Sequence, residues 1–379
     1  MFEPVVDFVR DIYQTDKFIP LHEPRFWGNE KEFLNNCIDS TFVSSVGEYV
    51  DRFEKDIANF TGAGYAVATV NGTAALHIAL LLAGIGHGDE VITQALTFVA
   101  TCNAISYTGA HPILTDVDKD TLGMSPLKLE EFLEKNAVLR DGRCYNDKTG
   151  REIKAVVPMH TFGIPARLEE LQEVCNKYNL KLIEDAAESL GSYRNDKHTG
   201  TLGWIGTLSF NGNKIITTGG GGMILTNDEA LAKKAKHITT TAKVPHKWEY
   251  RHDQVAYNYR LPNINAALGC AQTEQLPTFI KRKRALAESY RVFFEKRGIQ
   301  FVTEPAGTKS NYWLNAVLLR NREERDAFLK ETNEKGVMTR PAWQLMNQLS
   351  MYNGVQCGDL SNSEWLEARL VNIPSSVSK

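Results

Sequence analysis

One lysine stands where nucleophilic chemistry would be served. Lys214 follows Ser209 by five positions and is followed by four consecutive glycines, Gly219 to Gly222. A short apolar run, 206–210, leads into this stretch, and another, 222–226, leads out. A lysine amine attacks only when neutral, and burial beside other groups lowers its pKa toward that state. Glycines let backbone approach a planar ligand and take positive φ. A surface lysine on a hairpin with a flexible turn accounts for the same residues.

Four further stretches carry polar groups, three of them directly after expected strands. Asn71-Gly72-Thr73-Ala74 opens a helix after the run 65–70. Free N–H groups there, with the helix dipole and the Thr73 hydroxyl, suit an anion such as phosphate. Asn71 as a plain helix cap is the alternative. Phe98, in Thr97-Phe98-Val99-Ala100-Thr101, is placed either to lie on a heteroaromatic ring or to fill the core. Glu184-Asp185-Ala186-Ala187-Glu188 ends a strand. A carboxylate at that point either keeps a pyridinium nitrogen protonated or caps the next segment. Tyr257-Asn258-Tyr259-Arg260 lies beyond the lysine in a stretch with His246, Trp248 and Arg251. That stretch reads equally as a surface loop or as part of a site.

Competing signatures fail. Gly84-Ile85-Gly86-His87-Gly88 precedes a strand, the wrong side for a dinucleotide phosphate. Asp116-Val117-Asp118-Lys119-Asp120 starts like a calcium loop, but Thr121 stands where glycine is needed and Leu127 where the bidentate glutamate belongs. His160 has no second histidine at ligand spacing, and no metal site is expected. A phosphate cradle, a stacking aromatic, a ring-nitrogen carboxylate and a lysine in one chain together describe a pyridoxal phosphate site.

The elements that must position these groups follow from apolar periodicity. Runs at 65–70, 90–94, 112–116, 153–158 and 180–184 read as strands, alternating with helices at 72–83, 98–107, 127–135 and 167–178. Such alternation means βαβ units and a parallel sheet covered on both faces. Ligands of these sheets bind beyond the carboxyl ends of the strands. Two helices precede the first strand, the first with a capping box expected from Asn29 and Glu32. The segment 140–151 reads as an exposed excursion. A long charged helix from Leu276 to about Arg297 opens a smaller α+β region, and its cluster Lys281-Arg282-Lys283-Arg284 reads as a solvated face. The expected division is a large domain over 1–262, including the N-terminal helices, and a small domain over 263–379.

The 379 residues are 42% apolar and 23% charged with net charge −3, an ordinary globular composition without the basic footprint of a nucleic-acid binder. The six cysteines show no C-x-x-C pair and read as buried thiols of a reducing cytosol. Residues 1–13 have no signal-peptide core, and no apolar run is long enough to span a bilayer, so a cytoplasmic protein without membrane insertion is expected.

With these residues in hand, the chain resembles the DegT/StrS sugar aminotransferases. The resemblance runs from about Pro20 to Leu276. It rests on Asn-Gly-Thr-Ala-Ala-Leu at 71–76, Gly-Asp-Glu-Val-Ile at 88–92, Thr-Phe-Val-Ala-Thr, Glu-Asp-Ala-Ala-Glu, Ser-Phe-x-x-x-Lys and Asn-Tyr-Arg. It implies a fold-type I PLP-dependent α/β transferase, in which Lys214 would bind pyridoxal 5′-phosphate covalently and Asp185 would pair with the pyridinium nitrogen. Gly72, Thr73 and Ser209 would bind the phosphate, Phe98 would face the ring and Glu188 would sit near its hydroxyl. Asn258 would reach the cofactor of a neighbouring subunit, implying a homodimer with shared sites. The implied reaction moves an amino group from L-glutamate, through pyridoxamine 5′-phosphate, to a nucleotide-linked keto sugar. Gly220 replaces an acid common in relatives. The string Ser-Phe-Asn-Gly-Asn-Lys-Ile-Ile-Thr-Thr-x-Gly-Gly-Gly at 209–222 looks like the branch serving bacillosamine and legionaminic acid pathways, which aminates the sugar 4-position and whose substrate would be UDP-linked 4-keto-6-deoxy-N-acetylglucosamine. A 3-keto sugar substrate and an idle regulatory protein are the alternatives. His160, His246, Trp248 and Arg260 are the candidate sugar-nucleotide contacts.

Overall fold

The computed structural model describes residues 2–378. A mixed sheet runs through the larger part of the chain. Its strands are β1 (Tyr65–Thr69), β2 (Glu90–Gln94), β3 (His111–Thr115), the hairpin β4 (Ala137–Arg140) and β5 (Arg143–Asn146), β6 (Glu152–Val157), β7 (Lys181–Asp185), β8 (Ile205–Ser209) and β9 (Gly222–Thr226). The spatial order is β1-β9-β8-β7-β6-β2-β3. Neighbours from β8 through β3 are parallel, whereas β9 runs antiparallel to both β1 and β8. The carboxyl ends of β1, β2, β7 and β8 therefore share one edge, where the expected site belongs.

The strands show why the sheet is covered on both faces. Alternate residues of one strand enter different cores, because side chains alternate along a strand. Val91 and Ile183 pack with α4 (Gly72–Leu82), α5 (Val99–Tyr107) and α8 (Glu229–Thr239). Their neighbours Ile92 and Leu182 pack with α6 (Pro126–Asn136) and α7 (Leu168–Lys177). The expected excursion at 140–151 is more regular than a loop. Its hairpin turns at Asp141-Gly142, both at positive φ, and β5 pairs with β6.

The C-terminal part is built on β10 (Gln300–Phe301), β11 (Asn315–Leu318), β12 (Arg340–Pro341) and β13 (Leu370–Ile373), an antiparallel sheet in the order β10-β11-β13-β12. It carries α10 (Arg322–Glu334) and α11 (Ser361–Glu367). Helix α9 runs unbroken from Asn263 to Glu295 through Pro277 and starts well before the expected Leu276. Its first half packs on α2 (Glu30–Asp39) and α3 (Glu48–Thr61) with Ala266, Cys270 and Leu276, and its second half enters the C-terminal core with Leu286, Tyr290 and Phe294.

Three expectations change here. Helix α1 (Glu3–Tyr13), placed by sequence with the large domain, buries Val5, Val6 and Val9 against Tyr290, Phe294 and Phe328 of the C-terminal core. The Asn29 side chain does not cap α2; its Nδ2 donates to Glu274 on α9. Lys283 is not on a solvated face. It is fully buried, its amine donates to the Ser375 carbonyl, and burial pushes its pKa down to about 7. The face reading treated four consecutive cations alike, whereas a helix turns about 100° per residue and one of them must point inward.

The six cysteines are free thiols, five of them buried. Among the described residues no helix is long and apolar enough to cross a membrane, and no cluster of side chains could hold a metal ion.

Candidate active site

A cavity of about 570 Å³ opens at the carboxyl edge of the sheet. The strand ends of the large mixed sheet and the helix starts after them supply one wall. Strand β1 ends at Thr69, and Asn71 caps α4 by accepting from the Ala74 N–H at 2.8 Å. Gly72 and Thr73 line the cavity in that first turn. Gly72 is sterically required: a Cβ would lie 2.8 Å from the Ser209 Cβ. Without it, Ser209 at the end of β8 stands directly beside the open N–H groups of α4.

Strand β7 ends in two carboxylates with opposite duties. Glu184 turns away from the cavity. It accepts from the Gly200, Leu202 and Gly203 N–H groups and meets His160 Nε2 at 3.0 Å. Asp185 lines the cavity. Its Oδ2 accepts from Thr101 Oγ1 at 2.8 Å and its Oδ1 from the Ala187 N–H at 3.2 Å. Burial raises its pKa, and the Thr101 and Ala187 bonds pull it back. Glu188 sits between two partners: Oε2 accepts from the Phe162 N–H at 2.9 Å and Oε1 is 3.3 Å from Lys214 Nζ. Burial raises its pKa to about 7, against the pull of the lysine. Lys214 also lies 4.0 Å over the Trp313 ring, whose Nε1 donates to the Asn213 carbonyl at 2.7 Å.

The glycine run has a divided purpose. A Cβ on Gly221 would meet Thr218 Oγ1 at 2.3 Å, and one on Gly222 would meet the Asn71 carbonyl at 2.4 Å. At Gly220 the nearest atom is the Val70 carbonyl at 3.9 Å. A side chain fits there, so the missing acid is not a packing demand; it leaves room in the cavity.

The second wall comes from the C-terminal part of the chain and from Leu21, just after the bridge between Ile19 and Val337. Leu21, Trp313, Leu314, Arg340, Trp343 and Asn372 line it. Trp343 lies between Phe98 and Phe162, with centroids at 6.1 and 5.1 Å. Phe98, just before α5, is half exposed at the mouth.

These residues fit pyridoxal phosphate. A glycine-dependent N–H and hydroxyl cradle suits the phosphate, a buried carboxylate suits the ring nitrogen, and a lysine amine stands in the same cavity. The arrangement brings together Gly72, Thr73, Phe98, Asp185, Glu188, Ser209 and Lys214.

Five sequence candidates, His160, His246, Trp248, Asn258 and Arg260, lie outside this lining. His160 is fully buried; its Nδ1 accepts from the Ala166 N–H at 3.1 Å and its Nε2 meets Glu184, so it braces β7 and does not face a sugar. Asn258 is exposed and accepts from Arg260 Nε at 2.9 Å. His246 and Trp248 stand on an exposed loop, where His246 Nδ1 accepts from the Glu249 N–H at 2.9 Å. Thr101, Trp313, Arg340, Trp343 and Asn372 were not identified from sequence. For Thr101 the signal was present, since it falls one helical turn after Thr97 and the two hydroxyls meet at 3.0 Å.

Comparison with known proteins agrees with this geometry. Residues 27–378 match the DegT/DnrJ/EryC1/StrS aminotransferase family. The GDP-perosamine synthase of Escherichia coli O157:H7 is 40% identical over 337 residues, covering 89% of this chain and 88% of that protein. The enzyme of the same name from Vibrio cholerae is 38% identical over 362 residues, covering 94% of each. The aminotransferase TlmJ from Streptoalloteichus hindustanus superposes with a TM-score of 0.85 at 28% identity, covering 94% of this chain and 93% of that one.

Proposed function

The chain belongs to the DegT/DnrJ/EryC1/StrS aminotransferase family, a PLP-dependent group, and from that premise we propose that it transfers the amino group of L-glutamate to carbon 4 of a nucleotide-linked 4-keto-6-deoxy sugar. The favoured acceptor is UDP-linked 4-keto-6-deoxy-N-acetylglucosamine, a precursor class for surface-glycan sugars such as legionaminic acid or bacillosamine. The observation that carries the aminotransferase chemistry is Lys214 in one cavity with Asp185, Glu188 and Ser209. The same observation argues against an idle regulatory protein, which has no need of that set. The UDP-linked acceptor rests on the sequence around Gly220 and on the space that glycine leaves. A GDP-linked sugar is the second reading, favoured by the name that the two bacterial relatives share.

When bound, PLP supplies a carbonyl that accepts and returns an amine and a ring that withdraws electrons. The chain's residues do the rest. Asp185 holds a proton at the ring nitrogen. The first turn of α4 and the Ser209 hydroxyl hold the phosphate. Lys214 Nζ takes the proton from the donor's α-carbon and gives it up again, as a positioned base. Glu188, 3.3 Å away, keeps that amine in place. The second half runs the same proton movement backwards on the sugar. Glutamate and keto sugar thus become 2-oxoglutarate and amino sugar with no redox partner.

The working unit in this reading is a homodimer with shared sites. Asn258 does not line its own cavity and is exposed together with Trp248 and Tyr250. Mixing Lys214→Ala with Asn258→Ala tests this. Random exchange of freely exchanging subunits should restore about a quarter of full activity, because a mixed dimer keeps one intact site. The substrate reading is tested by incubating the protein with glutamate and UDP- or GDP-linked keto sugars and reading the amino position by NMR. Amination at carbon 3 would overturn it, and exclusive use of the GDP sugar would select the second reading.

A further inference from the structure

Among the described residues the Lys214 amine meets two side chains, and left-handed backbone at an aromatic residue stands behind each. Glu188 Oε1 lies 3.3 Å from Nζ, and its Oε2 accepts from the Phe162 N–H at 2.9 Å. Phe162 has φ 57° and ψ 15°. The Trp313 ring lies 4.0 Å from Nζ, and Tyr312, just before it, has φ 46°. Asn311 ties the two supports together. Its Nδ2 donates to the Glu188 carbonyl at 3.0 Å, and its Oδ1 accepts from the Trp313 N–H at 2.7 Å. Left-handed backbone is costly for a bulky L-residue and persists only where the surroundings over-determine it. They do so at Phe162. Its carbonyl accepts from the Leu314 N–H at 3.5 Å, and its ring centroid lies 5.1 Å from that of Trp343. The Gly163 carbonyl that follows accepts from the Ser192 and Ser310 hydroxyls at 2.6 and 3.0 Å.

We propose that Phe162 is a positioning residue, whose left-handed backbone aims its N–H at Glu188 and so fixes that carboxylate beside Lys214. This rests on the aminotransferase reading above. The angle φ is the rotation about the N–Cα bond. With the chain after Phe162 anchored, a return to negative φ would swing the N–H away from the carboxylate. Glu188 is buried, and the charged groups that face it are Lys214 and Asp185. The Phe162 N–H and Lys214 favour its ionised form, against burial and the Asp185 carboxylate. An ionised Glu188 in turn favours positive charge on the nitrogen that joins Lys214 to the cofactor. The competing account of Phe162 is its ring alone, an apolar filler beside Trp343.

Two truncations separate backbone from ring. Phe162→Gly and Phe162→Ala both delete the contact with Trp343, but glycine takes positive φ freely and alanine does not. The holoenzyme's visible absorbance is titrated with pH in the absence of substrate, where it reports the proton on the cofactor's bond to Lys214. Glu188→Gln sets the scale. Its midpoint should fall by about one pH unit, because the lost carboxylate held that proton on. Phe162→Ala should move the midpoint the same way, and Phe162→Gly should move it less. With saturating glutamate, the absorbance should bleach about tenfold more slowly in Phe162→Ala than in Phe162→Gly, the size of the left-handed penalty, at similar apparent glutamate affinity. In a Glu188→Gln background the difference between the two should vanish. Equal midpoints and rates for the two truncations, a difference that survives Glu188→Gln, or no shift in Glu188→Gln itself would overturn the proposal. Should the alanine enzyme not hold cofactor, Phe162→Asn, which accepts left-handed backbone, is compared with Phe162→Leu, which keeps the apolar bulk. A midpoint nearer the wild type's in Phe162→Asn supports the backbone role, and one nearer in Phe162→Leu overturns it. Wild-type holoenzyme whose absorbance glutamate leaves unchanged would instead overturn the parent reading of the donor.

Discussion

The two walls of the cavity treat their polar groups differently. On the large-domain wall the charged groups have partners inside the chain: Asp185 with Thr101 and Ala187, Glu188 with Phe162 and Lys214. On the C-terminal wall the Asn372 amide nitrogen has no partner, and Arg340 meets only neutral oxygens, at 3.3 and 3.5 Å. A satisfied, buried network holds side chains in one geometry. That suits a cofactor that stays through many turnovers. An open donor pair suits a ligand that arrives and leaves, because its hydrogen bonds form only on binding.

Breaking the large-domain wall should have the greatest effect. Lys214→Ala removes the amine to which the proposed reaction gives the proton transfer, and turnover should fall about 10⁴-fold, the upper range for a positioned base, in a steady-state assay with glutamate. Asp185→Asn leaves the shape and removes the charge proposed to face the ring nitrogen. Its turnover should fall about 10²–10³-fold, as when one preorganised electrostatic group is lost, with the fold unchanged by circular dichroism. An Asp185→Asn enzyme at wild-type rate would remove that residue from the cofactor's partners.

A smaller effect is expected one layer back. Thr101→Val deletes the bond to Asp185 Oδ2, and turnover should fall about tenfold, the low end for a hydrogen bond to a charged group. The sign of the pH effect follows from the causes. Burial raises the Asp185 pKa and the Thr101 bond lowers it, so losing Thr101 raises it further. The acid limb of the rate profile should therefore move to higher pH. A uniform loss at every pH would mean that Thr101 only packs.

The smallest effect lies behind the small-domain wall. Lys283 is buried with its pKa lowered from 10.5 to about 7, so its neutral form is favoured on folding. The unfolded chain binds this proton more readily between those values, and the group's contribution makes the protein less stable as pH falls from about 10 to 7. Lys283→Met should remove that slope. Its melting temperature should exceed the wild type's by roughly 2 °C at pH 7, with the gap closing towards pH 10. No change in the pH dependence of melting would show that the amine is solvated in solution.

The same contrast sets how far the sequence could be read. The large-domain wall was legible because each of its groups follows a strand end, where short apolar runs and helix starts mark the position of Gly72, Asp185 and Ser209. The parallel sheet was legible for the same reason. The small-domain wall was not. Arg340 and Pro341 form a two-residue strand, and Trp343 enters the cavity from irregular chain that returns to β3 through the bridge between Leu114 and Cys357. Neither apolar period can flag such segments. Asn372 sits in a strand whose pairing with Arg340 spans 32 positions, a contact set by tertiary structure. His160 failed for the opposite reason: its type suggested chemistry, but Glu184 and the Ala166 N–H already use both ring nitrogens.

The central claim is that Lys214 is the residue to which the cofactor is bound. Reduction of the holoenzyme with borohydride, digestion and tandem mass spectrometry would locate the attached pyridoxyl group. The expected result is one modified peptide containing Lys214. Label on Lys283, a fully buried lysine whose pKa burial lowers to about 7, or on any other lysine with Lys214 unmodified, would contradict the account.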